Sequence, residues 1–228
     1  MIIQIKMKNI IQEKRIHQII TFLKSLEIKS KRFSEIINKQ NILVIQDFNQ
    51  ALIHSSDDKI INYEKLEFFG DAVLRLAASN FIEQKYPNMS VGERSELRAH
   101  IVSDEWLTKL GKKINIEKLI VKGPKALGDQ NSKNTIIGEA TEAFIGALYK
   151  CFNSIQEINL WLDDIWEEDA EVLLKAPYKF KAKSVLQEWC QSKGFDLPVY
   201  KIVEVSKKHG DPNRFTCDIF IKGLKESS

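Results

Sequence analysis

Five carboxylates in two short stretches are the side chains best placed to do chemistry. The first stretch reads Asn62-Tyr63-Glu64-Lys65-Leu66-Glu67-Phe68-Phe69-Gly70-Asp71-Ala72-Val73. On a helix turning by about 100° per residue, Glu64, Glu67 and Asp71 share a face roughly 60° wide. Leu66, Phe69 and Val73 form an apolar stripe on the opposite side, and the nearest bases, Lys65 and Arg75, read as pointing elsewhere. In the second stretch Glu139 and Glu142 stand three residues apart among Gly138, Ala140, Ala143, Gly146 and Ala147.

Acids at these spacings repel one another, so each set needs open solvent or a cation. Two readings follow from the residues alone: ordinary wet helix faces, or a metal site. Small neighbours around Glu139 and Glu142 let another helix approach closely, and the helix carrying Glu67 and Asp71 is the natural partner. Such an oxygen-only set suits Mg²⁺, with Mn²⁺ as a substitute, and the chemistry it performs is phosphodiester hydrolysis.

The elements that must hold these acids are helical. From residue 9 to about 174 apolar residues recur at three- and four-residue spacing, with no convincing alternation. Loops are expected at Tyr86-Pro87-Asn88, at Gly111, at Lys122-Gly123-Pro124 and through 128–132. The acidic run 163–169 gives way to Lys175-Ala176-Pro177, which places a boundary near Lys175 and predicts two domains, 1–174 and 175–228. Beyond it Ala182–Lys193 reads as an amphipathic helix closed by Gly194, and 199–205 and 215–221 as two strands joined by a polar loop. The expected class is therefore mainly α, an all-helical domain followed by a small α+β domain.

At 228 residues and 43% hydrophobic content the chain can fill a packed core. Residues 175–228 carry 11 Lys and Arg against 6 Asp and Glu, a net of +5, which leaves −2 for residues 1–174. The basic excess points the C-terminal segment toward a polyanion. No apolar run is long enough for a bilayer, the N-terminus lacks a signal-peptide core, and Cys151, Cys190 and Cys217 are too widely spaced for a zinc site or a disulfide framework. A cytoplasmic protein without a membrane partner is expected.

The first acidic stretch resembles the ribonuclease III family, whose signature has the form Glu-x-Leu-Glu-Phe-hydrophobic-Gly-Asp-Ala. Further matches are Ala51-Leu52-Ile53-His54-Ser55-Ser56, Leu97-Arg98-Ala99 with Val102-Ser103, and the run from Glu142 to Tyr149; the resemblance covers residues 40–222. It implies that Glu67, Asp71, Glu139 and Glu142 hold the metal, that Asp71, Glu142 and Glu64 are catalytic, and that Glu64 lies near bound RNA. It implies a homodimer whose paired sites cut double-stranded RNA, ribosomal RNA precursors included, leaving 5′-phosphate and 3′-hydroxyl ends. His54, between apolar residues and serines, reads as structural.

The C-terminal segment resembles a double-stranded RNA-binding domain, with Lys183-Ser184-Val185-Leu186-Gln187-Glu188-Trp189 on its first helix and Pro198-Val199-Tyr200 entering its first strand. Lys183, Gln187, Lys207, Lys208, His209 and Arg214 are the expected RNA contacts.

Three departures stand out. Glu139 replaces the family's usual Asp, Val91 replaces a Glu, and the sequence ends at Ser228, before the further strand and basic helix such a domain carries. The last predicts an incomplete domain with weakened RNA binding. Alternatives to the nuclease are a catalytically silent double-stranded RNA-binding relative, and a helical interaction module; four retained acids argue against the first, and the small residues around Glu142 against the second.

Overall fold

The stretch Lys133–Phe152 is apolar or small almost all round, and a helix of that kind belongs in the middle of a domain. In the computed structural model, which describes residues 2–26, 28–39, 42–127, 132–175, 182–207, 211 and 213–223, it is the central helix. The elements run α1 (Ile2–Ser25), α2 (Lys31–Asn38), α3 (Ile42–Gln50), α4 (Glu64–Lys85), α5 (Val91–Ile101), α6 (Asp104–Lys113), a 3₁₀ turn (Ile116–Lys118) and α7 (Pro124–Leu127). There follow α8 (Lys133–Phe152), α9 (Ile155–Lys175), α10 (Ala182–Ser192), β1 (Val199–Glu204) and β2 (Phe215–Phe220). Their packing divides the chain into two compact units, Met1–Ala170 and Glu171–Ser228.

In the first unit α8 is wrapped by its neighbours. Phe144 meets Phe22 of α1 at 5.6 Å, Phe48 of α3 at 5.1 Å and Trp161 of α9 at 5.8 Å between ring centroids. Trp166 fills the gap between α4 and α6 against Phe81 and Trp106, and its indole N–H donates to the Ile101 carbonyl at 3.0 Å, so the ring is buried without an orphaned donor. Serines cap the starts of several helices. Ser90 and Glu93 form a reciprocal capping box on α5, and Ser103 accepts from Trp106 N–H at the head of α6.

Gly111 does not lie in a loop as expected: it is buried within α6, facing α8. A Cβ there would sit 2.6 Å from Ile137 Cγ2, so the glycine is a point of close helix approach, which by sequence alone reads the same as a breaker. Pro124, expected in a loop, opens the short helix α7, where its missing N–H is no loss. Phe69, placed on the apolar stripe, is 37% exposed and rests edge-on against Tyr149 at 5.6 Å.

The second unit carries the expected helix and hairpin. Gly194, at φ +70, closes α10, and β1 pairs antiparallel with β2 from Val199↔Phe220 to Glu204↔Phe215. Cys190, on α10, is buried, and its neighbour Trp189 packs on Phe195.

Candidate active site

Where α4 crosses α8 the two backbones touch. A Cβ on Gly70 would lie 2.8 Å from the Glu142 carbonyl carbon and 3.3 Å from Gly146 N, and one on Gly146 would lie 3.2 Å from Gly70 N. Only paired glycines permit that approach. Its consequence is geometric: Glu142 is pressed onto α4 at Gly70, between Glu67 one turn before and Asp71 immediately after.

The electrostatics follow. Burial, then the neighbouring carboxylates Glu139, Glu64 and Asp104, push the Glu67 carboxyl up to about 7. Glu142 is pushed up to about 7 as well, by burial first, then by Asp71, Glu67 and Asp104, with Arg75 opposing. Glu64, Glu67 and Glu139 line a cavity of about 510 Å³ together with His54, Ser55, Tyr63 and Phe68. Asp71 and Glu142 do not line that cavity; Glu142 adjoins it through the field of Glu67, and Asp71 acts on Glu142.

Three residues that the sequence reading left out of the site complete it. Tyr63, 1% exposed, donates its hydroxyl to Glu139 Oε2, and burial with that bond raises the phenol far above its ordinary value, so it stays a donor. Asp104, the first residue of α6, adds to the negative field on Glu67 and Glu142. Arg75 does not point elsewhere: its Nε donates to Asp71 Oδ1 at 2.7 Å, because residues four apart share a helix face. Lys65 is exposed and makes no such pair.

As they stand, no three acidic, histidine or cysteine side chains among the described residues close round an ion. The donor set nevertheless fits a hard divalent cation. All its candidate ligating atoms are oxygens, and two of its carboxyls are held up by burial first and then by like-charged neighbours, penalties that a cation relieves.

This sets a pH dependence. Both carboxyls lie above their ordinary 4.5, so the metal-free fold binds protons more tightly than the unfolded chain does. That stabilisation is complete below the unfolded value and is lost as pH rises through about 7. The melting temperature of metal-free protein is expected to fall between about pH 5 and pH 8. Millimolar Mg²⁺ should remove most of the fall, and a Glu67→Gln, Glu142→Gln double variant should show little of it; a flat metal-free profile would contradict the assignment.

Of the expected RNA contacts, Lys183 Nζ lies 5.4 Å from the Tyr200 ring centre, Gln187 is half-buried on α10, and Lys207 is exposed after β1. Arg214 is engaged by Glu204, with Nη2 at 2.7 Å from Oε1, and stands over the Phe215 ring at 5.1 Å. Lys208 and His209 lie outside the described residues.

Comparison with known proteins places these features. Residues 46–158 match a family model described as Ribonuclease-III-like, and residues 182–226 one described as Double-stranded RNA binding motif. The protein named Ribonuclease 3 in Prochlorococcus marinus is 44% identical over 214 residues, covering 94% of this chain and 86% of that one. One named Ribonuclease 3 2 in Nostoc sp. is 33% identical over 175 residues, covering 77% and 72%. A solved nuclease domain of ribonuclease III from Campylobacter jejuni superposes with a TM-score of 0.48 at 25% identity, covering 66% of this chain and 94% of that one, a likeness too loose to assign anything. With such identity across nearly its whole length, and the signature acids on α4 beside those on α8, this chain belongs to the ribonuclease III family.

Proposed function

We propose that this protein is a divalent-metal-dependent endoribonuclease that cuts double-stranded RNA as a homodimer, ribosomal RNA precursors among its substrates, in a reducing cytoplasm that suits its free thiols. The observation that carries the reading is the seating of Glu142 on Gly70, which sets the α8 acids beside those of α4. Glu67, Asp71, Glu139 and Glu142 are the residues to hold the ion, and Mg²⁺, or Mn²⁺ in its place, supplies Lewis acidity to the phosphodiester. Tyr63 fixes the Glu139 carboxylate and Arg75 turns Asp71, while Glu64 stands exposed at the rim, where a strand would pass. Asp71, Glu142 and Glu64 act on the reacting phosphate.

The second unit supplies duplex affinity. Lys183, Gln187, Lys207, Lys208, His209 and Arg214 are proposed to contact phosphates and 2′-hydroxyls, which report A-form shape and not base sequence. No helix among the described residues is long and apolar enough to cross a membrane.

The test is direct. Purified protein with Mg²⁺ should cut a long RNA duplex to 5′-phosphate ends, leave duplex DNA intact, and stop on addition of EDTA. Binding without cutting would favour a catalytically silent relative.

A second copy of the chain accounts for the outer surface of α4. Phe68 is 85% exposed and Leu76 58%, beside Ile60 at 85%, large apolar groups on and next to the helix that bears the acids. Phe68→Glu is expected to convert a dimer into a 26.3 kDa monomer by light scattering and to abolish two-strand cutting. A variant that stays dimeric would remove Phe68 from the interface.

A further inference from the structure

His54 lines the cavity, with one ring nitrogen engaged in holding its own turn and the other without a hydrogen-bond partner among the described residues. Its backbone N–H donates to the Val121 carbonyl at 2.9 Å, beside the isolated parallel bridge between Ile53 and Val121, so its position is fixed by main chain. At the ring, Ser56 N–H donates to Nδ1 at 3.0 Å, and Ser56 Oγ stands 2.7 Å from the same nitrogen. That Oγ accepts from Gly123 N–H at 3.0 Å, which leaves its own proton directed at Nδ1.

A backbone N–H can only donate, so Nδ1 must accept. The neutral ring therefore carries its proton on Nε2. The imidazole plane is held edge-on against Tyr63, 5.5 Å between centroids, and the side chain lines the cavity shared by Glu64, Glu67 and Glu139. Among the described residues Nε2 has no hydrogen-bond partner, whereas the neighbouring acids are acceptors crowded by their own charge. A fixed, unpartnered donor on the lining of such a cavity is complementary to an oxyanion brought in from outside.

We propose that His54 is a substrate-contacting residue whose Nε2–H donates to a non-bridging phosphate oxygen of the RNA strand lying in this cavity. The proposal rests on the reading of the cavity as a nuclease site. It gives His54 two separate tasks: Nδ1 orders the Ser56 and Gly123 turn, and Nε2 meets the strand.

Two substitutions in the full chain separate the tasks. His54→Asn sets an amide oxygen near the Nδ1 position, where Ser56 can still donate, and deletes the Nε2 donor; His54→Gln keeps a donor near Nε2 and gives up the Nδ1 acceptor. The Asn variant is expected to keep the parent's melting temperature while its single-turnover rate on duplex RNA with Mg²⁺ falls about 10- to 100-fold. The Gln variant should melt lower and cut faster than the Asn variant.

If cutting follows melting temperature, with Gln the poorer, or if Asn cuts as fast as the parent, His54 is only a turn-holding residue and the proposal is wrong. A parent that fails to cut duplex RNA overturns the nuclease reading instead. His54 is then judged by duplex affinity in Mg²⁺, where weaker binding by the Asn variant upholds the contact and equal binding removes it.

Discussion

On the proposed ligand set, Glu142→Gln is expected to leave a folded dimer that binds duplex RNA and cuts it about 10³-fold more slowly or not at all, since removing one ligating carboxylate would forfeit several kcal/mol of transition-state stabilisation. The substitution is isosteric and removes a charge that its surroundings already resist, so the fold should be no less stable. Burial and the carboxylates of Asp71, Glu67 and Asp104 all press on that charge, and relieving them should raise the metal-free melting temperature near pH 8. Lost activity with unchanged or greater stability is the signature of a ligand; lost activity with lost stability would recast Glu142 as a structural residue. Metal titration by calorimetry gives an independent reading, as the variant should need much more Mg²⁺ for the same heat.

Gly70→Ala carries the other large effect, and here the loss is of the fold. The added methyl would meet the Glu142 carbonyl and the Gly146 backbone, neither of which can swing aside like the end of a flexible side chain. Separating two packed helices by a methyl's breadth is expected to cost more than about 3 kcal/mol, enough to leave much of the protein unfolded or insoluble. Gly92→Ala in α5 is the control. Its Cβ would meet nothing nearer than Ser90 Oγ at 4.0 Å, and trading glycine for alanine within a helix should stabilise by about 0.5–1 kcal/mol. Similar melting temperatures for the two variants would mean that the helices are not in backbone contact.

Much of this was legible in the residues. The three-residue and four-residue recurrence of apolar groups marks α4 and α8, and small residues beside Glu139 and Glu142 announce a close crossing, because helix periodicity and side-chain volume are local properties. What periodicity cannot convey is which atoms meet across a crossing. Tyr63 sits at a motif's edge with nothing to say that its hydroxyl reaches Glu139, seventy-six residues on. Asp104 looks like one more first-turn acid, favoured by the helix dipole. The pairing of Arg75 with Asp71 is readable from their four-residue spacing, whereas the place of Gly111 is not, because a glycine that admits a neighbour and one that ends a helix are the same residue until the neighbour is known.

The phenol of Tyr63 has one more consequence. Raised so far that it keeps its proton at any pH the enzyme meets, it holds its bond to Glu139 under all working conditions. Glu67 and Glu142, by contrast, are raised to about 7 by burial and their like-charged neighbours, so in the metal-free protein their charge depends on pH near neutrality. The acidic floor thus has a half whose hydrogen bond stays fixed and a half whose charge waits on its counter-ion, so a drift in acidity would be felt through the second half and only while no ion is held there.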